Sequence, residues 1–230
     1  METAKIRDLF DLGLHFGHQK SYLHPKNKNF VFTISNGVSI IDLEKTQKKL
    51  KVAIDFVKEL AKENKTILFV GTKRQIGGLI KENAEKIKMP YVQKRFMGGT
   101  LTNFETVQKS IKKLHDIEAK LKEKDKLIKK EYHRLSKEQA KLLLLLGGLI
   151  PLSKLPDAIF VADVVKEKNA VQEANNLGIP VIAILDTNGN PTKVAYPIPG
   201  NDDSVKGVEY IIKTLTDAYK APKSKGKKTK

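Results

Sequence analysis

Three groups of residues in this 230-residue chain have types and spacings that could do chemistry. The first is Gly71-Thr-Lys-Arg74, which follows the apolar run Ile67-Leu-Phe-Val70 and precedes Gln75-Ile-Gly-Gly78. A strand, a glycine turn and a helix in that order offer free backbone N–H groups and the positive end of a helix dipole to a phosphate. The glycine spacing is neither the dinucleotide fingerprint nor a Walker motif, both of which need glycines or Lys-Ser/Thr at other offsets. Lys73 and Arg74 suit the phosphate of a nucleic-acid backbone as well as that of a nucleotide, and an ordinary strand-to-helix turn with exposed bases accounts for them too. The second group is His15-Phe-Gly-His18, with His24 nearby. A divalent ion wants three or four ligands, no cysteine or neighbouring acid cluster completes a set, and Gly17 argues against a rigid helical pair. Polar packing or RNA contact is therefore expected of these histidines, and no metal site is assigned. The third group is Asp163, Asp186, Asp202 and Asp203, at or after strand ends where α/β enzymes place their sites, with Glu173 on a helix instead. Caps, turns and salt bridges account for these acids without catalysis, and Asp186-Thr-Asn-Gly-Asn-Pro191 is dense in turn formers. No serine elbow, telling His/Asp pair or Walker acid accompanies them, so neither enzymatic activity nor a cofactor is expected.

Composition favours a binding protein. The 43 Lys and Arg exceed the 26 Asp and Glu by 17, and with a sequence pI of about 9.7 the natural electrostatic partner is a polyanion, nucleic acid ahead of an anionic membrane surface. The absence of cysteine excludes disulfide scaffolds, zinc ribbons, thiol catalysis and iron–sulfur clusters. The start, Met1 to Phe10, carries acids and no long apolar stretch, which does not fit a secretory signal. The longest nearly apolar run, Leu142 to Leu152, holds two glycines and a proline within 11 residues, against the ~20 a bilayer needs. No membrane span is expected, and a cytoplasmic location is the default.

The candidate residues must be positioned by a repeating pattern of elements. Two apolar runs between Phe30 and Leu43, split by Asn36-Gly37, predict a β-hairpin. Leu50, Ile54, Val57, Leu60 and Ala61 form one stripe of a helix over Glu44 to Glu63. A strand at Thr66 to Val70, a helix around Gln75 to Lys88 and a short strand near Tyr91 follow. After a long insertion come a strand at Asp157 to Ala162, a helix at Glu167 to Leu177, a strand at Val181 to Leu185, and a last helix from about Asp202 or Asp203 to Tyr219. Strands alternating with amphipathic helices predict a doubly wound, mainly parallel α/β sheet.

The insertion has no glycine or proline in the 47 residues between Gly99 and Gly147. Phe104, Val107, Ile111, Leu114, Ile117 and Leu121 make one narrow stripe, and Ile128, Tyr132, Leu135 and Leu142 make another at near-heptad spacing. The polar Lys122-Glu-Lys-Asp-Lys126 between them predicts an antiparallel, coiled-coil helical hairpin, and Thr102-Asn-Phe-Glu105 has the spacing of a capping box at its start. The expected organisation is a discontinuous globular domain over 1–99 and 147–220, the hairpin over 100–146, and a basic, unstructured tail over 221–230. A solvated surface hairpin and a merely solubilising tail are the plainer readings of the last two.

At Arg95-Phe-Met-Gly-Gly-Thr-Leu-Thr-Asn-Phe104 the chain resembles the bacterial-type ribosomal protein S2 family, whose signature reads R-W-x-G-G-x-L-T-N-[WF]. His15-Phe-Gly-His-Gln19, Phe69-Val-Gly-Thr-Lys-Arg74, Leu155-Pro-Asp-Ala158, Glu173-Ala-Asn-Asn-Leu-Gly-Ile-Pro180, Asp186-Thr-Asn188 and Ile198-Pro-Gly-Asn-Asp-Asp203 resemble further blocks in the family's order. The resemblance implies a Rossmann-like domain with a protruding coiled-coil hairpin, bound to rRNA in the small subunit and without enzymatic activity. It also implies neighbouring small-subunit proteins as partners, protein S1 among them where an organism has it. On this reading the rRNA contacts are His15, His18, Gln19, Lys20, Lys26, Lys94, Arg95 and Asn103 in or beside the blocks, with Lys73 and Arg74 at the turn and Lys109, Lys112 and Lys113 on the hairpin. The alternative is a nucleotide-dependent enzyme using the Gly71 to Arg74 turn. Departures from the family pattern are Tyr22-Leu-His-Pro-Lys26, Phe96 in place of tryptophan, Ser35 and Ser39 where Arg and His are common, and above all Leu142 to Leu146 where charged residues are usual. Five successive leucines cover every face of a helix, so something must cover the outer ones or they stay exposed.

Overall fold

The computed structural model describes residues 5–123 and 128–225. The chain opens with α1 (Ile6–Asp11) and a small antiparallel sheet of β1 (Phe16–Gln19), β2 (Val31–Ser35) and β3 (Val38–Ile41), ordered β1-β3-β2. Asn36 and Gly37 take φ of 50° and 79°, the positive values a two-residue type I′ turn requires, so the expected hairpin forms where the Asn-Gly pair sits. Next, α2 (Leu43–Lys62) is capped by Asp42, whose carboxylate accepts the N–H groups of Glu44 and Lys45.

Strands and helices then alternate: β4 (Ile67–Val70), α3 (Gly77–Lys86), β5 (Tyr91–Val92), the helix pair α4 (Phe104–Lys122) and α5 (Lys129–Leu146), β6 (Ala158–Val161), α6 (Lys168–Asn176), β7 (Val181–Leu185), β8 (Tyr196–Pro199) and α7 (Val205–Lys225). The five strands β4 to β8 form a wholly parallel sheet in the order β5-β4-β6-β7-β8. Each central strand is buried on both faces, and its side chains alternate between two cores. Ile67, Phe69, Phe160 and Ile182 pack with α2, α3 and α7, whereas Leu68, Val70, Ile159 and Val161 pack with α6 and the root of α4 and α5. Burial on both faces is what turns the expected alternation into continuous apolar runs.

The helix pair divides into two zones. Val107 and Ile111 of α4 and Leu146 of α5 belong to the core under the sheet, while Leu114, Ile117 and Leu135 are buried outside both sheet cores. The Lys113 to Glu138 ion pair joins positions equally far from the connection, so the two helices run antiparallel. Of the leucine run, Leu146 is only 1% exposed and Leu142 and Leu145 pack against its core, leaving Leu143 and Leu144 at 40% and 54%.

Several local features differ from expectation. Strands β1 and β8 and the short α1 are additional; β8 lies at the sheet's edge, where Pro197 and Pro199 are tolerated because a missing N–H costs no central ladder bond. The capping box does not form, because α4 begins at Phe104 with Asn103 at its N-cap while the Thr102 hydroxyl bonds Glu173. Helix α7 begins at Val205, since Asp202 and Asp203 are held by Lys73 in the loop before it. It continues to Lys225, into the segment expected to be unstructured, and residues 226–230 of that segment lie outside those described. Among the described residues no helix is long and apolar enough to cross a membrane.

Candidate nucleic-acid interface

A parallel sheet delivers the C-terminal ends of all its strands to one edge, the usual site of chemistry in this architecture. Here that edge collects Lys73 after β4, Asp163 after β6, Asp186 after β7, and Asp202 and Asp203 after β8. The Lys73 ammonium lies 3.0 Å from Asp163, 2.6 Å from Asp202 and 2.8 Å from Asp203. Burial works against its charge, but the bonds to Asp202 and Asp203 outweigh burial and raise its pKa. Burial, with the nearby Asp163 charge, pushes the Asp202 carboxyl up to about 7 against the pull of Lys73. His18 Nδ1 is 3.1 Å from Asp186, and that bond raises the imidazole's pKa.

This arrangement disagrees with a phosphate-binding turn. The Thr72 N–H, which a phosphate would need, instead meets Glu167 Oε1 at 2.8 Å, and the same oxygen accepts the Thr72 hydroxyl. Three carboxylates already surround Lys73, so an incoming phosphate would meet repulsion there. Only Arg74 of the pair expected to contact an anion is exposed, and no ion pair holds it among the described residues. The nucleotide-enzyme alternative loses its site, and Lys73, expected to contact rRNA, is held in this structure in an internal ion cluster.

The two histidines of His15-Phe-Gly-His18 do not converge on one point. His15 is buried, stacked on Phe10 with ring centroids 4.1 Å apart and tilted against Phe16 at 4.0 Å, and burial lowers its pKa. It is therefore a packing residue in this structure, without the exposure a phosphate contact requires. His18 turns the other way, and its ligand atom lies within 4.8 Å of those of Asp186 and Asp202. One imidazole and two carboxylates are donors a divalent cation could take, in competition with Lys73 for Asp202. The histidine spacing alone did not signal this set, because its partners come from strand ends about 170 residues away, as the His18 to Thr187 separation of 169 illustrates.

The Arg95 to Asn103 segment is a built loop. Glu173 on α6 is 9% exposed, and its Oε1 accepts Gly99 N–H at 2.6 Å. Its Oε2 accepts Leu101 N–H at 2.9 Å and both the N–H and hydroxyl of Thr102 at 3.2 Å. Gly99 has φ of +86°, a conformation that suits glycine and lets three nearby N–H groups face one carboxylate. With the loop so held, Phe96, Thr100 and Leu101 point inward while Lys94, Arg95 and Asn103 are exposed.

The remaining side chains expected to touch RNA are also at the surface: Gln19 and Lys20 at the end of β1, Lys26 in the turn before β2, and Lys109, Lys112 and Lys113 on α4. Lys113 is paired with Glu138, whereas Lys20, Lys26, Lys94, Arg95, Lys109 and Lys112 make no ion pair among the described residues. These groups lie on three separate elements, and only Lys94, Arg95, Asn103 and the α4 lysines share one loop and the helix it feeds. Sequence reasoning singled out neither the internal use of Lys73 nor the Glu173 anchor. Both depend on side chains that meet across the sheet.

Comparison with known proteins agrees with this architecture. The family described as "Ribosomal protein S2" matches residues 9–221. The chain is 49% identical over 221 residues to small ribosomal subunit protein uS2 of Campylobacter hominis, covering 95% of this chain and 83% of that one. It is 49% identical over 224 residues to the protein of the same name from Campylobacter jejuni subsp. jejuni, with 96% and 85% coverage. A third, from a Nitratiruptor species, is 46% identical over 215 residues, with 93% and 80% coverage. Identity at this level along nearly the whole chain, on a parallel sheet with a helix pair following the Gly98-Gly99 loop, means that the chain belongs to the ribosomal protein S2 family.

Proposed function

We propose that this protein is a structural, non-enzymatic component of the small ribosomal subunit that binds rRNA through exposed, unpaired bases. Family membership supplies the assembly. The observation that carries the surface assignment is the contrast between Lys73, enclosed by three carboxylates, and Lys94, Arg95, Lys109 and Lys112, which are exposed and unpaired among the described residues. Phosphate contact rewards free cations, since each neutralised phosphate releases counterions. Lys20, Lys26 and Arg74 add a second group on the globular body, Gln19 and Asn103 can donate hydrogen bonds beside the bases, and Lys113 can join after releasing Glu138. His18 adds positive charge only when protonated. The division of labour is a globular domain over 1–99 and 147–220 that seats the protein, and a helix pair within 100–146 that extends its reach. Neighbouring small-subunit proteins complete the contacts, protein S1 among them where an organism has it.

Sedimentation of a tagged chain through sucrose gradients, with and without EDTA to separate the subunits, tests this reading. The protein is expected to follow the small subunit in both conditions and to show no nucleotide hydrolysis. A chain found mainly at the top of the gradient, or a nucleotide turnover abolished by Lys73→Gln, would overturn it.

A further inference from the structure

We propose that Glu173 is a positioning residue: it latches the loop that feeds α4 and thereby fixes the direction in which the helix pair leaves the globular body. The helix pair is a lever. Leu114, Ile117 and Leu135 are buried outside both sheet cores, so beyond Ile111 the two helices gain nothing from those cores. Their direction is set at the root, where glycine pairs, Gly98-Gly99 and Gly147-Gly148, stand on the entry and exit strands of chain. A glycine pair loses more conformational freedom on ordering than any other, and something must hold it.

Beyond the apolar packing of Val107, Ile111 and Leu146, three fastenings stand out at the root among the described residues. Gln108 Nε2 donates to the carbonyls of Leu152 and Ser153 at 3.1 and 3.2 Å. Gly148 lies so close to the Tyr91 carbonyl and ring that a Cβ there would overlap them. The third is the Glu173 carboxylate, which gathers four donors from Gly99, Leu101 and Thr102, immediately before α4 begins at Phe104. It is the one that ties the entry glycine to α6, an element packed on the sheet. A buried carboxylate without a cationic partner is costly, and packing alone would be served as well by an apolar side chain. A carboxylate's particular property is that both oxygens accept and neither donates.

The lever arm gives this anchor its consequence. The 19 residues of α4 span about 28 Å, so a tilt of roughly 10° at the root moves the far end by about 5 Å. That exceeds the ~3 Å over which a lysine holds a phosphate oxygen. The consequence for binding rests on the rRNA reading above; the orientation itself does not.

Glu173→Gln is the diagnostic change, because shape and volume are preserved while whichever way the amide is turned its NH2 faces an N–H donor. The chain has no cysteine, so Lys51→Cys on α2 and Lys120→Cys on α4, both exposed, can carry a nitroxide pair on the free full-length protein. Double electron–electron resonance should give one narrow distance distribution with Glu173 intact. Glu173→Gln should broaden it or shift it by about 5 Å while circular dichroism keeps the native helix content. A distribution unchanged by Glu173→Gln, or already broad with Glu173 present, would overturn the latch. Thr102→Val removes a single donor at the loop's exposed end and should broaden the distribution less; if Glu173→Gln does not fold, a Thr102→Val distribution identical to the parent's overturns the proposal instead. A broadened distribution with undiminished rRNA affinity would uphold the latch and refute the assignment of the helix pair to rRNA.

Discussion

Leu144 and Leu146 are two positions apart in one helix and should respond to substitution in opposite ways. Leu146 is 1% exposed in the core shared by α5, α6 and the sheet, and Leu144 is 54% exposed. Leu146→Ala removes a buried isobutyl group and leaves a cavity between rigid elements, a change that costs about 2–5 kcal/mol. For a chain of this size each kcal/mol lowers the melting temperature by roughly 2–4 °C, which puts the expected drop between about 4 and 20 °C. Leu144→Lys restores the charged surface usual in the family, loses little burial, keeps a good helix former, and should stay within about 0.5 kcal/mol of the parent. Thermal melts followed by circular dichroism, repeated at two protein concentrations, compare the two variants directly. If Leu144→Lys costs as much as Leu146→Ala, the outer leucines are covered in the free protein and the division of the run into inner and outer faces is wrong.

Two further outcomes follow from side-chain environments. Replacing Lys109 and Lys112 by Gln should flatten the log–log salt dependence of rRNA binding by roughly 1.4 to 1.8, at ~0.7–0.9 per phosphate contact, whereas Lys113→Gln should do less because its ammonium already sits 2.5 Å from Glu138. Slopes identical to the parent's, with native circular dichroism, would mean that this face of α4 meets only solvent. His15→Phe should gain stability relative to the parent on the acid side alone: burial holds the folded imidazole's pKa below the ordinary histidine value of about 6.5, so as pH falls through that value the unfolded chain takes the proton first and the parent loses stability. Denaturation at about pH 8 and about pH 5.5 checks this, and an equal difference between the two proteins at both values would refute it.

What was legible in the sequence is what is local. Asn36-Gly37 announced its turn because few residue pairs accept two positive φ values, and Ile67 to Val70 announced a doubly buried strand because both its faces are apolar. The helix pair was visible as two stripes of regular spacing. Strand β8 was hidden by Pro197 and Pro199, which argue against a strand anywhere except an edge, and edge position is decided by the order of strands rather than by the segment itself. The capping box failed for a related reason: Thr102 and Glu105 have the right spacing, but a carboxylate 71 residues away, Glu173, competes for the Thr102 hydroxyl. Local propensity reports what a segment can do alone, and the fold supplied a stronger acceptor.

The same distinction governs charge. A net charge of +17 identifies the class of partner but not the surface, because a lysine contributes fully to binding only if the fold leaves it unpaired. The strand, glycine and helix around Lys73 form the most enzyme-like segment of the sequence, yet a parallel sheet necessarily brings the ends of β4, β6, β7 and β8 to the same edge. In this chain those ends carry Asp163, Asp186, Asp202 and Asp203, so the edge where such folds hold phosphates is lined with negative charge that Lys73 and His18 only partly neutralise. A polyanion is repelled from the customary site. On the proposed reading the basic excess acts from the surface of the body at Lys20, Lys26 and Arg74, and from the loop and helix at Lys94, Arg95, Lys109 and Lys112, whose placement would depend on how firmly the root of the helix pair is held.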